Sequence, residues 1–332
     1  MNARVAVIMG GRSSEHEVSL RSGAQVLKAI QEDRPLPVVI GKDGRWSIDG
    51  GPPVSVGRAL DQLQASCDVA FLALHGAFGE DGTIQGLFEM AGMPYTGSGV
   101  LGSALAMDKV RTKLVYRQLG IPTPDFVSIT RRDWTTRRAE LIAEVEGKIG
   151  FPSALKVACA GSSVGMRFPT STASFVEGVQ AIMAVSELAL AERYVKGREF
   201  TCGVIELGTS EIRALPVTEI IPDAKYAFFD YEAKYTPGAT REVTPAEIDA
   251  GLRDQIQAWA IRAHLALGCR DVSRTDVMVG ADGLPMLLET NTIPGLTGES
   301  LLPQAARAAG ISFPELVRGL VNRARSRAVS VQ

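Results

Sequence analysis

The segment from Arg274 to Asn291 constrains this chain more than any other. It runs Arg274-Thr-Asp276-Val-Met-Val, then Gly280-Ala-Asp-Gly283, then Leu287-Leu-Glu289-Thr-Asn291. Two β-rich runs around a glycine-bounded turn predict a β-hairpin. Side chains two apart on a strand share a face, so the pairing register decides which polar groups converge. Pairing Val279 with Leu284 puts Arg274, Asp276, Leu287, Glu289 and Asn291 on one face. An Asp, a Glu and an Asn together form the oxygen-rich set that hard Mg²⁺ prefers. The Arg274 guanidinium beside them suits a phosphate or a developing oxyanion. A solvated hairpin face with an ordinary ion pair is the alternative. Thr290-Asn291-Thr292-Ile293-Pro294-Gly295 follows directly. A strand that runs into such a turn delivers its last side chains to a rim, where sites are usually built.

At 332 residues the chain is long enough for two or three domains. Hydrophobic residues make up 45% and charged residues 22%, as in globular proteins in water. With a net charge of -2 and no basic block, nothing directs the chain to nucleic acid or to an anionic membrane. The start, Met1-Asn-Ala-Arg-Val-Ala-Val-Ile-Met9-Gly, is too short an apolar run for a signal peptide, and no stretch suits a bilayer span. Cys67, Cys159, Cys202 and Cys269 lack C-x-x-C spacing, which argues against a disulfide framework or a zinc site and fits a reducing cytoplasm.

Along the chain, Val5 to Met9 is an apolar β-rich run ending in Gly10-Gly11, and a helix is predicted from Glu15 to Ile30. Cys67 to Leu74 holds a second strand, followed by a glycine loop and a helix over Ile84 to Ala91. Strand, glycine loop and helix in repetition predict a parallel sheet covered on both faces. Ser98 is a candidate cap for a helix towards Asp108. Strands are predicted at Phe151 to Val157, Leu188 to Tyr194 and Arg198 to Ile205, with a helix over Ala173 to Val185. From Pro222 to Thr244 the composition turns aromatic and polar without periodicity, as in a functional lid. Thr244-Pro-Ala-Glu247 reads as a capping box before a long helix, with Ile248, Leu252, Ile256, Trp259, Ala263 and Leu267 on one face. Ser312-Phe-Pro-Glu315 opens the last helix, whose Phe313, Leu316, Val317 and Leu320 form a core stripe.

Two loops could hold anions. Gly161-Ser162-Ser163-Val-Gly165 follows a strand that carries Lys156; glycine N–H groups, hydroxyls and a lysine suit a phosphate, although no Gly-Lys-Ser/Thr closes the loop. A plain turn is the alternative. Gly10-Gly-Arg-Ser-Ser-Glu15 between strand and helix could cradle a carboxylate, but it is not a dinucleotide fingerprint. His75, at the end of an apolar strand, is either structural or ligand-binding. Lys234 and Tyr235 lie in the predicted lid.

Taken together, these segments resemble the D-alanine–D-alanine ligase family of ATP-grasp enzymes over nearly the whole chain. The carriers are Gly10-Gly-Arg-Ser-Ser-Glu-His-Glu-Val-Ser-Leu20, His75-Gly-Ala-Phe-Gly-Glu-Asp-Gly-Thr-Ile-Gln-Gly86, Met107-Asp-Lys109, Gly161-Ser-Ser-Val-Gly-Met166, Asp230-Tyr-Glu-Ala-Lys-Tyr235, Glu289-Thr-Asn-Thr-Ile-Pro-Gly-Leu-Thr297 and Ser300-Leu-Leu-Pro303. The resemblance implies an α/β chain: a doubly wound parallel-sheet domain over residues 1–98, then a two-lobed α+β ATP-grasp part, split into 99–190 and 191–332. It implies ATP between the two lobes, two Mg²⁺ (or Mn²⁺), and a cytoplasmic homodimer that makes peptidoglycan precursor. ATP would phosphorylate one D-alanine, and the amine of a second would displace phosphate.

Residue by residue, the resemblance gives Glu15 the ammonium of the first amino acid, linked to Ser162 and Tyr235, with His75 near the same substrate. Lys109 and Lys156 would contact ATP phosphates, Lys234 the γ-phosphate, and Ser163 would join the phosphate loop. Glu192, Tyr194 and Val195 would border the adenine and Glu199 the ribose. Asp276, Glu289 and Asn291 would ligate the metal ions. Arg274 and the Gly295 N–H would face the oxyanion, while Ser300 and Leu301 would hold the second carboxylate. The chain departs from the family pattern at Val157-Ala-Cys-Ala160, where proline and polar residues usually follow the lysine, and at Arg193, where lysine is commoner. Competing readings are a relative using D-serine, D-lactate or another second amino acid, a nucleotide-binding module without turnover, and a nicotinamide-dependent dehydrogenase. Tyr235 argues against D-lactate, and the absent fingerprint against the dehydrogenase.

Overall fold

The computed structural model describes residues 3–159, 165–208, 211–222 and 240–328. β1 (Val5–Gly10) is buried throughout and pairs in parallel with β2 (Leu36–Ile40); β3 (Trp46–Ile48) joins β2 antiparallel, and β4 (Val69–Leu72) lies parallel on the other side of β1. Strand alternation sorts the side chains of β1 between two cores. Val5 and Val7 join Val69 and Phe71 on one face; Ala6 and Ile8 join Ala70 and Leu72 on the other. α1 (His16–Ala29) supplies Val26 to the first core, while α2 (Val56–Ser66) and α3 (Thr83–Met90) supply Leu63 and Phe88 to the second. Both faces of the sheet are therefore covered, as expected. α1 lies so close to β1 that a Cβ at Gly23 would fall 2.6 Å from the Met9 Cβ, so only glycine fits there.

α4 (Val100–Met107) and α5 (Lys109–Gln118) lead to an antiparallel sheet of β5 (Phe126–Thr130), β6 (Ser153–Val157) and β7 (Leu188–Arg193), with β7 central. α6 (Arg131–Thr136), α7 (Arg138–Lys148) and α8 (Thr172–Met183) give it Trp134, Val145 and Phe175 as a separate core. A further sheet is built on β8 (Gly197–Glu206), which β9 (Ile212–Ala214) and β10 (Thr218–Pro222) join; β11 (Thr240–Val243) extends β10. α9 (Ala250–Ala266) packs Ile256, Ala260 and Ala263 on that sheet, and β12 (Val272–Gly280) and β13 (Pro285–Asn291) complete it beside β8. α10 (Leu301–Ala308) and α11 (Phe313–Ala328) then return to the first sheet, where Leu316, Val317 and Leu320 pack in the core of Val7 and Phe71. Burying each such side chain contributes about 1.5–3 kcal/mol. No helix among the described residues is long and apolar enough to cross a membrane.

The expected element ends need three corrections. α4 starts at Val100, and Ser98 Oγ instead accepts the Arg270 N–H at 3.1 Å, joining two distant segments. The long helix starts at Ala250 behind Asp249, whose Oδ1 accepts the Leu252 N–H at 3.0 Å. The Thr244 hydroxyl bonds the Thr218 hydroxyl at 2.6 Å, so a tertiary partner takes the group that would have capped. Finally, the end of the segment expected as lid is a strand, β11, while residues 223–239 lie outside the described ones.

Candidate active site

Arg274 faces Asn291 and Asp276 faces Glu289 across β12 and β13, but the hairpin tip runs in another register. Val279 pairs with Pro285 rather than with Leu284, and Val277 with Leu287. The shift falls between Asp276 and Val277, leaving Leu288 as the extra residue of a β-bulge. The expectation for Leu287 is therefore corrected: it lies opposite Val277, in the apolar core. The four polar side chains still share a face, because the bulge offsets the one-residue error at the turn.

Arg274 Nε and Nη2 donate to Asp276 Oδ1 and Oδ2, both at 2.9 Å. Such a bidentate pair fixes both planes. Thr201 on β8 donates its hydroxyl to Oδ1 at 2.9 Å, and Asn291 Nδ2 donates to Oδ2 at 3.3 Å. Burial works against the Arg274 charge, yet Asp276 and Glu289 hold its pKa above the ordinary value.

Lys109 opens α5 behind Asp108, which caps the helix by accepting the Arg111 N–H at 3.0 Å. Its Nζ lies 3.0 Å from Glu289 Oε2. Lys156 on β6 lies diagonally across from Glu192 on β7, whose register partner is Ala154, and the two groups meet at 2.5 Å. The fully buried Lys113 pairs with the same carboxylate. Burial pushes the Glu192 carboxyl up, but Lys113 and Lys156 together hold it below its usual range. The Tyr194 ring packs edge-on to Phe168 at 5.6 Å, and Val195 Cγ1 lies 3.5 Å from where a Cβ on Gly280 would stand. Glu199 on β8 opposes Met278 on β12. Arg193 bonds the Lys148 carbonyl at 2.6 Å and Asp125 at 3.3 Å.

At the other end, Glu15 occupies the N-cap position of α1, and its Oε2 lies 2.5 Å from where a Cβ on Gly76 would stand. Gly76 also has φ +70, so that close approach requires glycine twice over. His75 Nε2 meets Ser22 Oγ at 2.9 Å, and the ring donates to the Ile293 carbonyl. Burial lowers the His75 pKa to about 4. Glu80 Oε2 accepts the Gly76 N–H at 2.7 Å, and the carboxylate also accepts the Ile293 N–H. Burial and the charge of Glu15 push Glu80 up to about 8. A Cβ on Gly295 would fall 2.8 Å from Ser300 Oγ, which accepts the Thr297 N–H at 3.1 Å; Ser300 and Leu301 begin α10.

Ser162, Ser163, Lys234 and Tyr235 lie outside the described residues. The sequence reading missed Glu80, Lys113 and Thr201. Glu80 sits inside the quoted His75 to Gly86 motif, Lys113 lies one helical turn beyond Lys109, and Thr201 is the register partner of Asp276. Among the described residues, no three His, Cys, Asp or Glu side chains gather as a metal site. Asp276, Glu289 and the amide oxygen of Asn291 offer hard oxygen donors, which fit an ion that keeps waters and binds substrate phosphates.

Known proteins carry the same plan. Residues 4–59 and 52–98 match the model of the D-ala D-ala ligase N-terminus, and residues 115–322 that of the D-ala D-ala ligase C-terminus. A D-alanine–D-alanine ligase of Desulfotalea psychrophila is 46% identical over 319 residues, covering 96% of this chain and 94% of the relative. The VanG D-Ala:D-Ser ligase of Enterococcus faecalis superposes with a TM-score of 0.86 at 31% identity, covering 98% of this chain and 100% of that one. The Bacillus anthracis D-alanine–D-alanine ligase complexed with ATP gives 0.79 at 30% identity, with 99% and 100% covered. With matches that run from the first strand to the last helix, the chain belongs to the D-alanine–D-alanine ligase family.

Proposed function

We infer that this protein joins two D-alanine molecules into D-alanyl-D-alanine, with ATP cleaved to ADP and phosphate, for peptidoglycan precursor synthesis. The observation that carries the reading is the pairing of three cations with three carboxylates, Lys109 with Glu289, Lys156 with Glu192 and Arg274 with Asp276. Phosphoryl transfer needs positioning and charge neutralisation more than covalent help. Lys109 and Lys156 would exchange their carboxylates for ATP phosphates, the adenine lying by Glu192, Tyr194 and Val195 and the ribose by Glu199. Asp276, Glu289 and Asn291 would hold Mg²⁺ or Mn²⁺, which when bound neutralises charge on the transferring phosphoryl group.

Glu15 would bind the ammonium of the first D-alanine, beside His75. A carboxylate oxygen of that D-alanine attacks the γ-phosphorus and ADP leaves, forming D-alanyl phosphate. The amine of the second D-alanine then attacks the acyl carbon, loses a proton, and phosphate leaves. Arg274 and the Gly295 N–H would face the tetrahedral oxyanion; Ser300 and Leu301 would hold the second carboxylate. Ser162, Ser163, Lys234 and Tyr235 take their roles from the family alone. We place the unit boundaries at 98 and 190, with the nucleotide between the second and third units. A homodimer is part of the same reading, and sedimentation analysis tests it.

A second reading, D-serine as the second substrate, draws on the likeness to the D-Ala:D-Ser ligase. One assay separates them: ATP-dependent phosphate release with Mg²⁺ and D-alanine, with L-alanine and with D-serine added. Release that requires D-alanine, with D-alanyl-D-alanine seen by mass, supports the first reading. A mixed dipeptide favours the second, and no release with either overturns both.

A further inference from the structure

Lys113 has no part in the reaction assigned above, yet its side chain is fully buried. A buried ammonium is costly unless it is paired and hydrogen-bonded. On one side its Nζ pairs with Glu192, and on the other it donates to Thr123 Oγ1 at 2.6 Å. Thr123 donates its own hydroxyl to the Leu287 carbonyl at 2.8 Å, and the Leu287 N–H donates to the Pro122 carbonyl at 2.8 Å. Leu287 borders the bulge, whose extra residue Leu288 brings Glu289 onto the polar face. An unbroken chain therefore runs from Lys156 through Glu192, Lys113 and Thr123 to the backbone where β13 changes register.

We propose that Lys113 is a positioning residue that couples the nucleotide side of the site to the metal-bearing strand. The proposal rests on the assignment of Lys156 to ATP and of Glu289 to the metal. When Lys156 turns to a phosphate, Glu192 loses one of its two partners. Lys113 keeps that buried carboxylate paired, so releasing Lys156 leaves no isolated charge behind. Through Thr123 the same ammonium braces the bulge that presents Glu289. Without Lys113, Glu192 depends on Lys156 alone and holds it back from the nucleotide.

The test is equilibrium binding of the non-hydrolysable ATP analogue AMP-PNP to the full chain, by calorimetry, with and without Mg²⁺. Lys113→Met is expected to weaken binding about tenfold or more in both conditions, the scale on which supporting contacts act. Thr123→Val keeps the Lys113–Glu192 pair and removes the hydroxyl that accepts from Lys113 and donates to Leu287. It is expected to shrink the Mg²⁺ enhancement about tenfold while metal-free binding stays within about twofold. Thr123→Val with the wild-type enhancement, or with equal losses in both conditions, overturns the coupling; so does a folded Lys113→Met that binds like wild type. If Lys113→Met does not fold, Thr123→Val alone decides. Failure of the wild-type chain to bind the analogue at all overturns the ATP assignment instead, since failure of the coupling alone leaves wild-type binding intact.

Discussion

At the hairpin end of the site, Arg274 and Asp276, Lys109 and Glu289, and Lys156 and Glu192 meet as side-chain ion pairs. At the end that carries Glu15, His75 and Glu80 are held by the backbone of Ile293 and pushed towards their neutral forms. On the proposed assignment, the difference matches what each end would bind. Paired charges stay charged when buried, so a phosphate or a cation can take over one partner. At the other end burial and the charge of Glu15 keep a proton on Glu80. One end exchanges charge and the other conserves neutrality.

The largest expected effect breaks the paired end. Arg274→Ala leaves Asp276 buried without its bidentate partner, at a cost of about 3–5 kcal/mol in a denaturant titration. If Arg274 faces the oxyanion, kcat also falls about 10²–10³-fold. Unchanged stability would show that the pair is not desolvated. Lys156→Met removes one charge-assisted contact worth about 2 kcal/mol. It should raise KM for ATP about 30-fold while KM for D-alanine barely moves; steady-state kinetics with each substrate varied checks this.

The neutral end is tested by pH. Glu80 is raised from 4.5 to about 8, so the folded chain keeps a proton that the unfolded chain releases. Its contribution to stability is therefore present below about 4.5 and is lost as pH rises to about 8. His75, lowered from 6.5 to about 4, has the opposite slope: stability rises between those values as pH rises. From about pH 6.5 to 8 only the Glu80 slope remains of the two. Melting temperatures over that range should fall more steeply for wild type than for Glu80→Gln, and equal slopes would mean that Glu80 is already ionised. The smallest effect lies outside both ends. Ser312→Ala removes the cap hydroxyl of α11 and should cost about 1 kcal/mol by denaturant titration, with kinetics untouched.

Parity along each strand of the hairpin was legible, but the two strands share one polar face only because the β-bulge at Leu288 offsets the one-residue error at the turn. The bulge was not legible, since Leu287 and Leu288 are both apolar and either could have taken the core position. The cap before α9 was misread for a related reason. Thr244 and Asp249 are both good capping residues, and contact with Thr218 decided between them. Glu80 stood in view within its motif, but its protonation depends on burial and on the charge of Glu15, which only the fold brings about.

By itself, the sequence determined the order of strands and helices, the two covered faces of the first sheet, and the residue types gathered at the hairpin. Periodicity, glycine placement and charge are carried by neighbours along the chain, so they can be read without knowing the fold. Tertiary structure alone decided which cation meets which carboxylate, that the last helix covers the first sheet, and that Lys113 lies buried between Glu192 and Thr123. Those outcomes depend on distance and burial between segments far apart in the chain, and electrostatic strength is set by that burial.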